Sequence, residues 1–245
     1  MCCDSRILPR LARFGQRQTC EYNGAMSQAQ LTIDAVRRAL RRPLPGRAAQ
    51  LLMAVRPRPG DRADLPRPCP KEGAVLLLLV QVGDQLMVPL TCRADTVHTH
   101  RGQISFPGGA CEPHDADFRA TALRETEEEL GISAAAVEVL GQLTPLYVPP
   151  SQFCVYPYVG YLPQPSRWQP DPREVSEVVE APLDALMNPS SKHIEMHLRD
   201  GIEFQVPYYG IGSHRIWGAT AMMLSEFLTL LAQAGVPQAC RPPAS

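Results

Sequence analysis

An acidic helix that follows a glycine pair is the sequence feature that most constrains this chain. Residues 124–132 read Arg-Glu-Thr-Glu-Glu-Glu-Leu-Gly-Ile, and a Phe-Pro-Gly-Gly sequence lies upstream of them. In a helix, Glu125, Glu128 and Glu129 stand at i, i+3 and i+4, so their carboxylates share one face. Carboxylates this close repel one another, and the pattern therefore predicts that a hard divalent cation such as Mg²⁺ binds there.

The residues around these glutamates predict the limits of the helix. It is expected to run from about Ala116 to Leu130, because Gly131 suits the left-handed position that ends many helices. Glu127 falls on the opposite side and is expected to be solvated. Arg124 points away from the centre of the acidic face, which favours a structural pairing with a carboxylate. A solvated acidic surface with no metal is the alternative interpretation.

The same residues resemble the signature of the Nudix hydrolases, Gly-x5-Glu-x7-Arg-Glu-U-x-Glu-Glu-x-Gly-U, in which U is aliphatic or small. The second half matches at every fixed position from Arg124 to Ile132. The first half departs, because Asp115 stands where the early Glu is expected and Arg124 then follows one residue late. The early Glu role is therefore not assigned. The pattern of strands and helices predicts an α+β protein, and the resemblance implies a Nudix fold with a mixed β-sheet sandwiched between α-helices.

Residues farther upstream resemble one branch of that family, the coenzyme A diphosphatases. The extra motif of this branch is Leu-Leu-Thr-x-Arg-Ser/Ala-x3-Arg-x3-Gly-x3-Phe-Pro-Gly-Gly. It matches residues 89–109 except that Pro89 replaces the first Leu and His98 replaces the second Arg. The resemblance implies a hydrolase that depends on Mg²⁺ or Mn²⁺ and cleaves coenzyme A or acyl-coenzyme A to 3′,5′-ADP and 4′-(acyl)phosphopantetheine.

The resemblance also implies roles for six residues. Metal binding and catalysis fall to Glu125, Glu128 and Glu129, and substrate binding to Gly108, Gly109 and Arg93. A structural salt bridge is the alternative role of Arg93. A glycine backbone can approach a phosphate closely because it has no side chain, and an Arg guanidinium can hold a phosphate through two hydrogen bonds. The general base stays open between a glutamate of the acidic helix and a later one, Glu174 or Glu177.

Other functions also stay open. The substrate of a related hydrolase would be another nucleoside diphosphate derivative, such as ADP-ribose or a nucleotide-capped RNA. A non-catalytic nucleotide sensor with the same fold is disfavoured, because all three glutamates are present. Trp217 is expected in the core, with adenine stacking as its alternative role. The sequence predicts no particular oligomeric state.

Composition excludes some classes of protein. The chain has 245 residues, of which 44% are hydrophobic, and this suits one domain with a substantial core. No apolar run approaches the ~18 residues of a membrane span. The eight cysteines include no Cys-x-x-Cys pair, so the sequence does not indicate a zinc site. The cysteines are expected to be thiols in a reducing cytoplasm.

Charge is spread unevenly although the net charge is only −1. Residues 1–60 hold eleven arginines against three acidic residues. Only Phe14 and Tyr22 are aromatic in this segment, too few to form a base-stacking surface, so the basic segment is expected to be solvated and nucleic acid is not an expected partner.

The expected organisation has four parts. Residues 1–25 form a disordered arm, 26–70 an N-terminal helix and proline-rich linker, 71–234 the Nudix hydrolase domain and 235–245 a tail. Ser27 is the expected N-cap, which makes Met26 an alternative start to Met1. Residues 48–55 favour a strand or a helical turn. The other expected elements are strands at 73–82, 85–92, 137–147, 153–162, 175–180, 193–198 and 204–208, and a last helix at 218–234.

Overall fold

The chain combines a large mixed sheet with helices, and the predicted α+β class is confirmed. A computed structural model describes residues 31–58, 60, 65–66, 68–94, 103–164 and 167–236. The helices are α1 (Ile33–Leu40), α2 (Gly46–Gln50), α3 (Phe118–Leu130), α4 (Leu183–Met187) and α5 (Gly218–Gln233). The strands are β1 (Lys71–Val82), β2 (Gln85–Arg93), β3 (Ile104–Ser105), β4 (Gly108–Ala110), β5 (Glu138–Gln142), β6 (Leu146–Val148), β7 (Phe153–Leu162), β8 (Val175–Pro182), β9 (Lys192–Arg199), β10 (Ile202–Ile211) and β11 (His214–Trp217).

Strand β1 is the centre of the main sheet. It pairs in parallel with β7 on one side and antiparallel with β2 and β4 on the other. Side chains alternate across a strand, so Leu77 and Leu79 face the layer that contains α1 and α5. Leu76, Leu78 and Val80 face the opposite layer, which α3 covers. Helices therefore enclose the sheet from both sides, as predicted.

Two pairs of consecutive strands form hairpins. A two-residue turn joins β1 to β2, and another joins β9 to β10. Strand β10 also pairs with β11, so these three strands form a second sheet in the order β11-β10-β9. Tyr209 and Ile216 are fully buried on one face of this sheet and belong to the same core as α5.

The strand predicted across residues 137–147 is wrong in one respect, because it is two strands, β5 and β6. The break falls at Thr144 and Pro145. The Thr144 hydroxyl donates to the carboxylate of Glu226 at 2.6 Å, and its N–H turns to the same carboxylate. Proline has no N–H to continue a ladder, so regular pairing stops at this point.

The carboxylate of Glu226 lies on α5 and connects segments that are far apart in sequence. It is fully buried. Besides Thr144, it accepts a hydrogen bond from the N–H of Gly46 at 3.2 Å and from Nε2 of Gln50 at 2.8 Å. A buried carboxylate needs such partners, since an unpaired charge in the core is costly. Glu226 thus fastens α2 and the break between β5 and β6 onto α5.

The N-terminal helix begins later than predicted. The side chain of Thr32 accepts the N–H of Ala35, so Thr32 is the N-cap and the prediction of Ser27 is wrong. The helical alternative for residues 48–55 is confirmed, because α2 continues into a short 3-10 turn. Val36 and Met53 are buried in the main core. The predicted arm at residues 1–25 lies outside the described residues.

Cysteine pairing differs from the prediction of free thiols. Cys69 and Cys154 form a disulfide. The parallel register of β1 and β7 places Glu72 opposite Cys154, which brings residue 69 close to β7. The two cysteines are 85 residues apart, so no local spacing signalled the pair. Among the described helices, none is both long enough and apolar enough to cross a membrane.

Candidate active site

The glycine pair lies where β4 joins the main sheet, between β1 and α3. Gly108 has φ +154°, and a β-carbon there would lie 2.4 Å from the carbonyl oxygen of Ala74. A β-carbon on Gly109 would lie 2.5 Å from the carboxylate of Glu125. Close packing against the backbone therefore requires glycine at 108, whereas Gly109 leaves the space that the Glu125 carboxylate occupies. A phosphate contact of their backbones, the role expected from the sequence, stays a prediction.

Helix α3 presents the three glutamates with unequal exposure. The carboxylate of Asp117 caps the first turn by accepting the N–H of Ala120, and Gly131 ends the helix in the left-handed conformation that was predicted. The side chain of Glu125 is 13% exposed and that of Glu128 is 59% exposed. The residue Glu129 is only 6% exposed. The acidic face thus runs from solvent into the interior.

Glu129 is the most constrained of the three carboxylates. Its Oε2 is buried and has no hydrogen-bond partner in the described part of the chain. The pKa of Glu129 is raised to about 8, first by burial and then by the nearby carboxylates of Glu125 and Glu174, whereas Arg93 lowers it. A buried oxygen with no donor beside other carboxylates is an environment that a cation stabilises.

Arg124 connects the acidic face to the preceding loop. Its Nε and Nη2 donate to the two oxygens of Asp115, each at 3.0 Å. Its Nη1 donates to Glu125 at 2.9 Å and to Glu128 at 3.0 Å. The predicted pairing with a carboxylate is confirmed. The prediction that Arg124 points away from the acidic face is wrong, because its guanidinium is long enough to reach both glutamates.

Asp115 holds this arginine from a nearly buried position. Its side chain is 2% exposed, and it also accepts the hydroxyl of Thr121 and the N–H of Glu112, each at 2.9 Å. The Arg124 guanidinium holds the pKa of Asp115 far below its usual range. The sequence left this position without a role because the loop is one residue longer than the signature requires.

Arg93 lies at the end of β2, beside the same acidic centre. Its Nε is buried with no partner among the described residues, and its charge lowers the pKa of Glu129. The pairing of β2 with β8 shifts by one residue between Cys92 and Arg93. Beyond this irregularity, the N–H of Ala94 donates to the carbonyl of Glu174 at 2.9 Å.

Glu174 is one of the two later glutamates that the sequence leaves open as the general base. The structure brings it near Glu125 and Glu129, where it raises the pKa of both. No sequence signal distinguishes it from Glu177, which the structure instead places 3.4 Å from Nε2 of His214.

Metal binding fits this donor set, although the side chains are not yet gathered around one point. The described ranges contain no group of three His, Cys, Asp or Glu arranged to hold a metal. The reason is that Arg124 draws the carboxylates of Glu125 and Glu128 toward itself. A cavity of about 520 Å³ opens on that flank of α3, lined by residues such as His114, Arg124 and Glu128.

Trp217 and His98 are the remaining candidate residues from the sequence. Trp217 is 41% exposed, so the prediction of a core position is wrong. It lies at the end of β11, before the buried part of α5 begins, and its adenine-stacking alternative stays open. His98 lies outside the described residues.

Comparison with known proteins adds the family. The model of the NUDIX domain matches residues 70–198, just over half of the chain. The chain belongs to the Nudix family. It is a Nudix hydrolase, an enzyme that acts on phosphoric anhydrides. Members of this family bind small nucleoside diphosphate substrates and generally use divalent metal ions.

Several relatives are similar over most of the Nudix domain. "Uncharacterized Nudix hydrolase NudL" of Photorhabdus laumondii is 38% identical over 156 residues, which are 64% of this chain and 82% of the relative. "Mitochondrial coenzyme A diphosphatase NUDT8" of Homo sapiens is 37% identical over 166 residues, 66% of this chain and 70% of the relative. A solved MutT/nudix family protein from Enterococcus faecalis covers 66% of this chain and 62% of its own, with 21% identity and a TM-score of 0.48.

Proposed function

We propose that this Nudix hydrolase cleaves the diphosphate of coenzyme A or acyl-coenzyme A and releases 3′,5′-ADP and 4′-(acyl)phosphopantetheine. The observation that carries the proposal is the position of Arg93. This arginine belongs to the motif that resembles the coenzyme A branch. Its buried Nε has no partner in the described ranges, and its charge lowers the pKa of Glu129. A human relative that is 37% identical is named a coenzyme A diphosphatase, which supports the same branch.

Mg²⁺ or Mn²⁺ is the proposed cofactor, and Glu125, Glu128 and Glu129 are the proposed ligands. Oε2 of Glu129, which has no hydrogen-bond partner among the described residues, and the raised pKa of Glu129 support this assignment. A bound divalent ion neutralises phosphate oxygens and lowers the pKa of water. Arg124 would then keep its paired contact with Asp115 while it releases Glu128, whose side chain is the most exposed of the three.

Glu174 is the proposed general base. Its backbone is fixed on both sides, because its N–H donates to Asp171 and its carbonyl accepts the N–H of Ala94. Its carboxylate contributes to the raised pKa of both Glu125 and Glu129, which supports a place on the same side of the site, where a general base would act on a water beside them. Glu177 is less suited, because it pairs with His214.

Arg93 is proposed to bind the 3′-phosphate, which coenzyme A has and 3′-dephospho-coenzyme A lacks. A bidentate contact between a guanidinium and a phosphate is worth about 1.5–3 kcal/mol, or roughly ten- to a hundredfold in kcat/KM. The backbones of Gly108 and Gly109 are proposed to approach the diphosphate from the opposite side.

The test compares release of 3′,5′-ADP from coenzyme A with cleavage of 3′-dephospho-coenzyme A and ADP-ribose, with Mg²⁺ and with a chelator. Arg93→Ala should remove most of the preference for coenzyme A. Arg119→Ala, an exposed arginine on α3, is the matched control and should retain it. Equal rates on coenzyme A and 3′-dephospho-coenzyme A in the unmodified enzyme would reject coenzyme A as the preferred substrate and favour a broader diphosphatase.

The cytoplasm is the proposed location. The disulfide between Cys69 and Cys154 is the observation against it, because glutathione and thioredoxin keep cytoplasmic thiols reduced. Alkylation of thiols in freshly lysed cells, followed by mass spectrometry of the peptides that contain these cysteines, shows whether the compartment is reducing or oxidising. Recovery of the intact disulfide would reject a reducing compartment.

A further inference from the structure

Strand β9 is an open edge of the second sheet. The order of this sheet is β11-β10-β9, and no strand among the described residues pairs with the outer side of β9. The strand is eight residues long, from Lys192 to Arg199. An edge of this length presents a row of N–H and C=O groups that can pair with another strand.

The backbone groups that face this open side belong to alternate residues. Gln205 lies opposite Met196, and it exchanges two hydrogen bonds with Arg56, at 2.8 and 3.0 Å, on the far side of β10. The backbone N–H and C=O of Gln205 therefore point away from β9. In antiparallel pairing, the N–H and C=O of its partner Met196 then point away from β10. The backbone N–H and C=O groups of Ile194 and Leu198, which lie two residues to either side of Met196, point in the same outward direction.

The side chains of these same three residues are apolar and exposed. Ile194 is 69% exposed, Met196 is 55% exposed and Leu198 is 74% exposed. Because Lys192 lies opposite Tyr209, the three side chains stand on the sheet face that buries Tyr209 in the core. The face that is buried at Tyr209 therefore continues as an exposed apolar surface at these three residues. Exposed apolar patches of this kind often mark sites of protein–protein contact.

We propose that β9 pairs antiparallel with β9 of a second copy of this chain, with Met196 facing Met196 on the two-fold axis. In this register each Ile194 faces a Leu198 of the other copy, so apolar side chains meet throughout the centre. Each Glu195 faces a His197, which can donate to its carboxylate. The strand is thus complementary to itself, as a two-fold interface requires.

The neighbouring register, centred on Glu195, is less favourable. A register centred on Glu195 would place two carboxylates directly opposite each other, and like charges in this position are destabilising. The register on Met196 avoids this contact and also pairs the outward N–H and C=O groups of Ile194, Met196 and Leu198 with their counterparts. The two three-stranded sheets would then form one continuous sheet of six strands.

The experiment measures molar mass by light scattering at protein concentrations from about 1 to 200 µM, a range that brackets the association expected of a small interface. The unmodified chain should shift from monomer to dimer within it. Met196→Glu and Met196→Lys should each be monomeric, because like charges then meet on the axis. An equimolar mixture of the two variants should recover the dimer, because Glu then faces Lys.

Val82→Glu is the matched control, since Val82 is also exposed, at the turn between β1 and β2, and should not change association. Thermal midpoints of all variants show that each is folded. A monomer at every concentration, a dimer in either Met196 variant alone, or a mixture that stays monomeric would each overturn the proposal. Loss of the dimer in Val82→Glu would also overturn it, because association would not then depend on β9.

Discussion

The carboxylate of Glu125 occupies the space that a side chain on Gly109 would need, with only 2.5 Å between it and an added β-carbon. Gly109→Ala should therefore displace this carboxylate and lower kcat by about a hundredfold, the effect of moving a catalytic group by ~1 Å. The thermal midpoint should change little, because the displaced group is the end of a flexible side chain. Steady-state kinetics and a thermal melt on the same sample check both expectations.

Gly108→Ala is the companion variant with the opposite outcome. Its β-carbon would meet the Ala74 carbonyl and the Val75 backbone, which cannot move as a side chain can, and its φ of +154° disfavours any side chain. It should lose more than about 1 kcal/mol of stability. A melt in which Gly109→Ala is the less stable of the two would contradict this account.

Glu128→Gln and Glu129→Gln should each lower turnover at least a hundredfold at saturating Mg²⁺, because each removes one anionic ligand. About 2.7 kcal/mol of transition-state stabilisation corresponds to this factor. Near-normal turnover in both variants would reject the metal site. Glu127→Gln is the control on the same helix, since its carboxylate accepts only the N–H of Ala134.

Without metal, Glu129→Gln should raise the thermal midpoint. The pKa of Glu129 in the fold is about 8, above its value in the unfolded chain, so its ionisation destabilises the fold. Below pH ~4.5 the carboxyl is protonated in both states, and the variant should gain nothing. The gain should grow from there toward pH 8 and then level off. Thermal melts of both proteins in a chelator across this pH range measure the gain in midpoint. A gain that is independent of pH would contradict the raised pKa of Glu129.

Asp115→Asn should destabilise the fold strongly. The side chains of Asp115 and Arg124 are 2% and 16% exposed, and removing one partner of a buried pair costs about 3–5 kcal/mol. Because the pKa of Asp115 is lowered in the fold, its contribution is present above the unfolded value near 4 and is lost as pH falls below it. Asp34→Asn, which breaks an exposed pair with Arg37, should change stability far less, because solvent screens an exposed ion pair. Denaturant titration of both variants distinguishes these costs.

Reduction of the disulfide should lower the thermal midpoint. Closing a loop between cysteines 85 residues apart contributes roughly 4 kcal/mol in the chain-entropy account. Cys69→Ser should melt like the reduced protein and should not respond to reductant. Cys111→Ser changes an exposed free cysteine and should keep the response. An unchanged midpoint in Cys69→Ser would show that the bond adds no stability.

Features with local causes could be predicted from the sequence. The end of α3 at Gly131 needs only a residue that tolerates the left-handed conformation, and the hairpin between β1 and β2 needs only two apolar runs around a glycine turn. The assignment of Glu125, Glu128 and Glu129 to one helix follows from the periodicity of 3.6 residues.

Features that depend on distant partners could not be predicted. The pairing of Asp115 with Arg124 was hidden by one additional loop residue, and that of Cys69 with Cys154 follows only from the parallel register of β1 and β7. Strands β3 and β4 have two and three residues, too few to show any alternation. Trp217 is exposed because β11 ends there, which its apolar character does not reveal.

The buried carboxylate of Glu226 also has a consequence for how the protein is made. Its hydrogen bonds to Gly46 and Gln50 span 180 and 176 residues, so α2 cannot complete them until α5 has left the ribosome. Contacts of such long range are formed late, because the entropy of the intervening chain must first be lost. During synthesis, the apolar residues that α5 will cover stay open to chaperones until the last helix arrives.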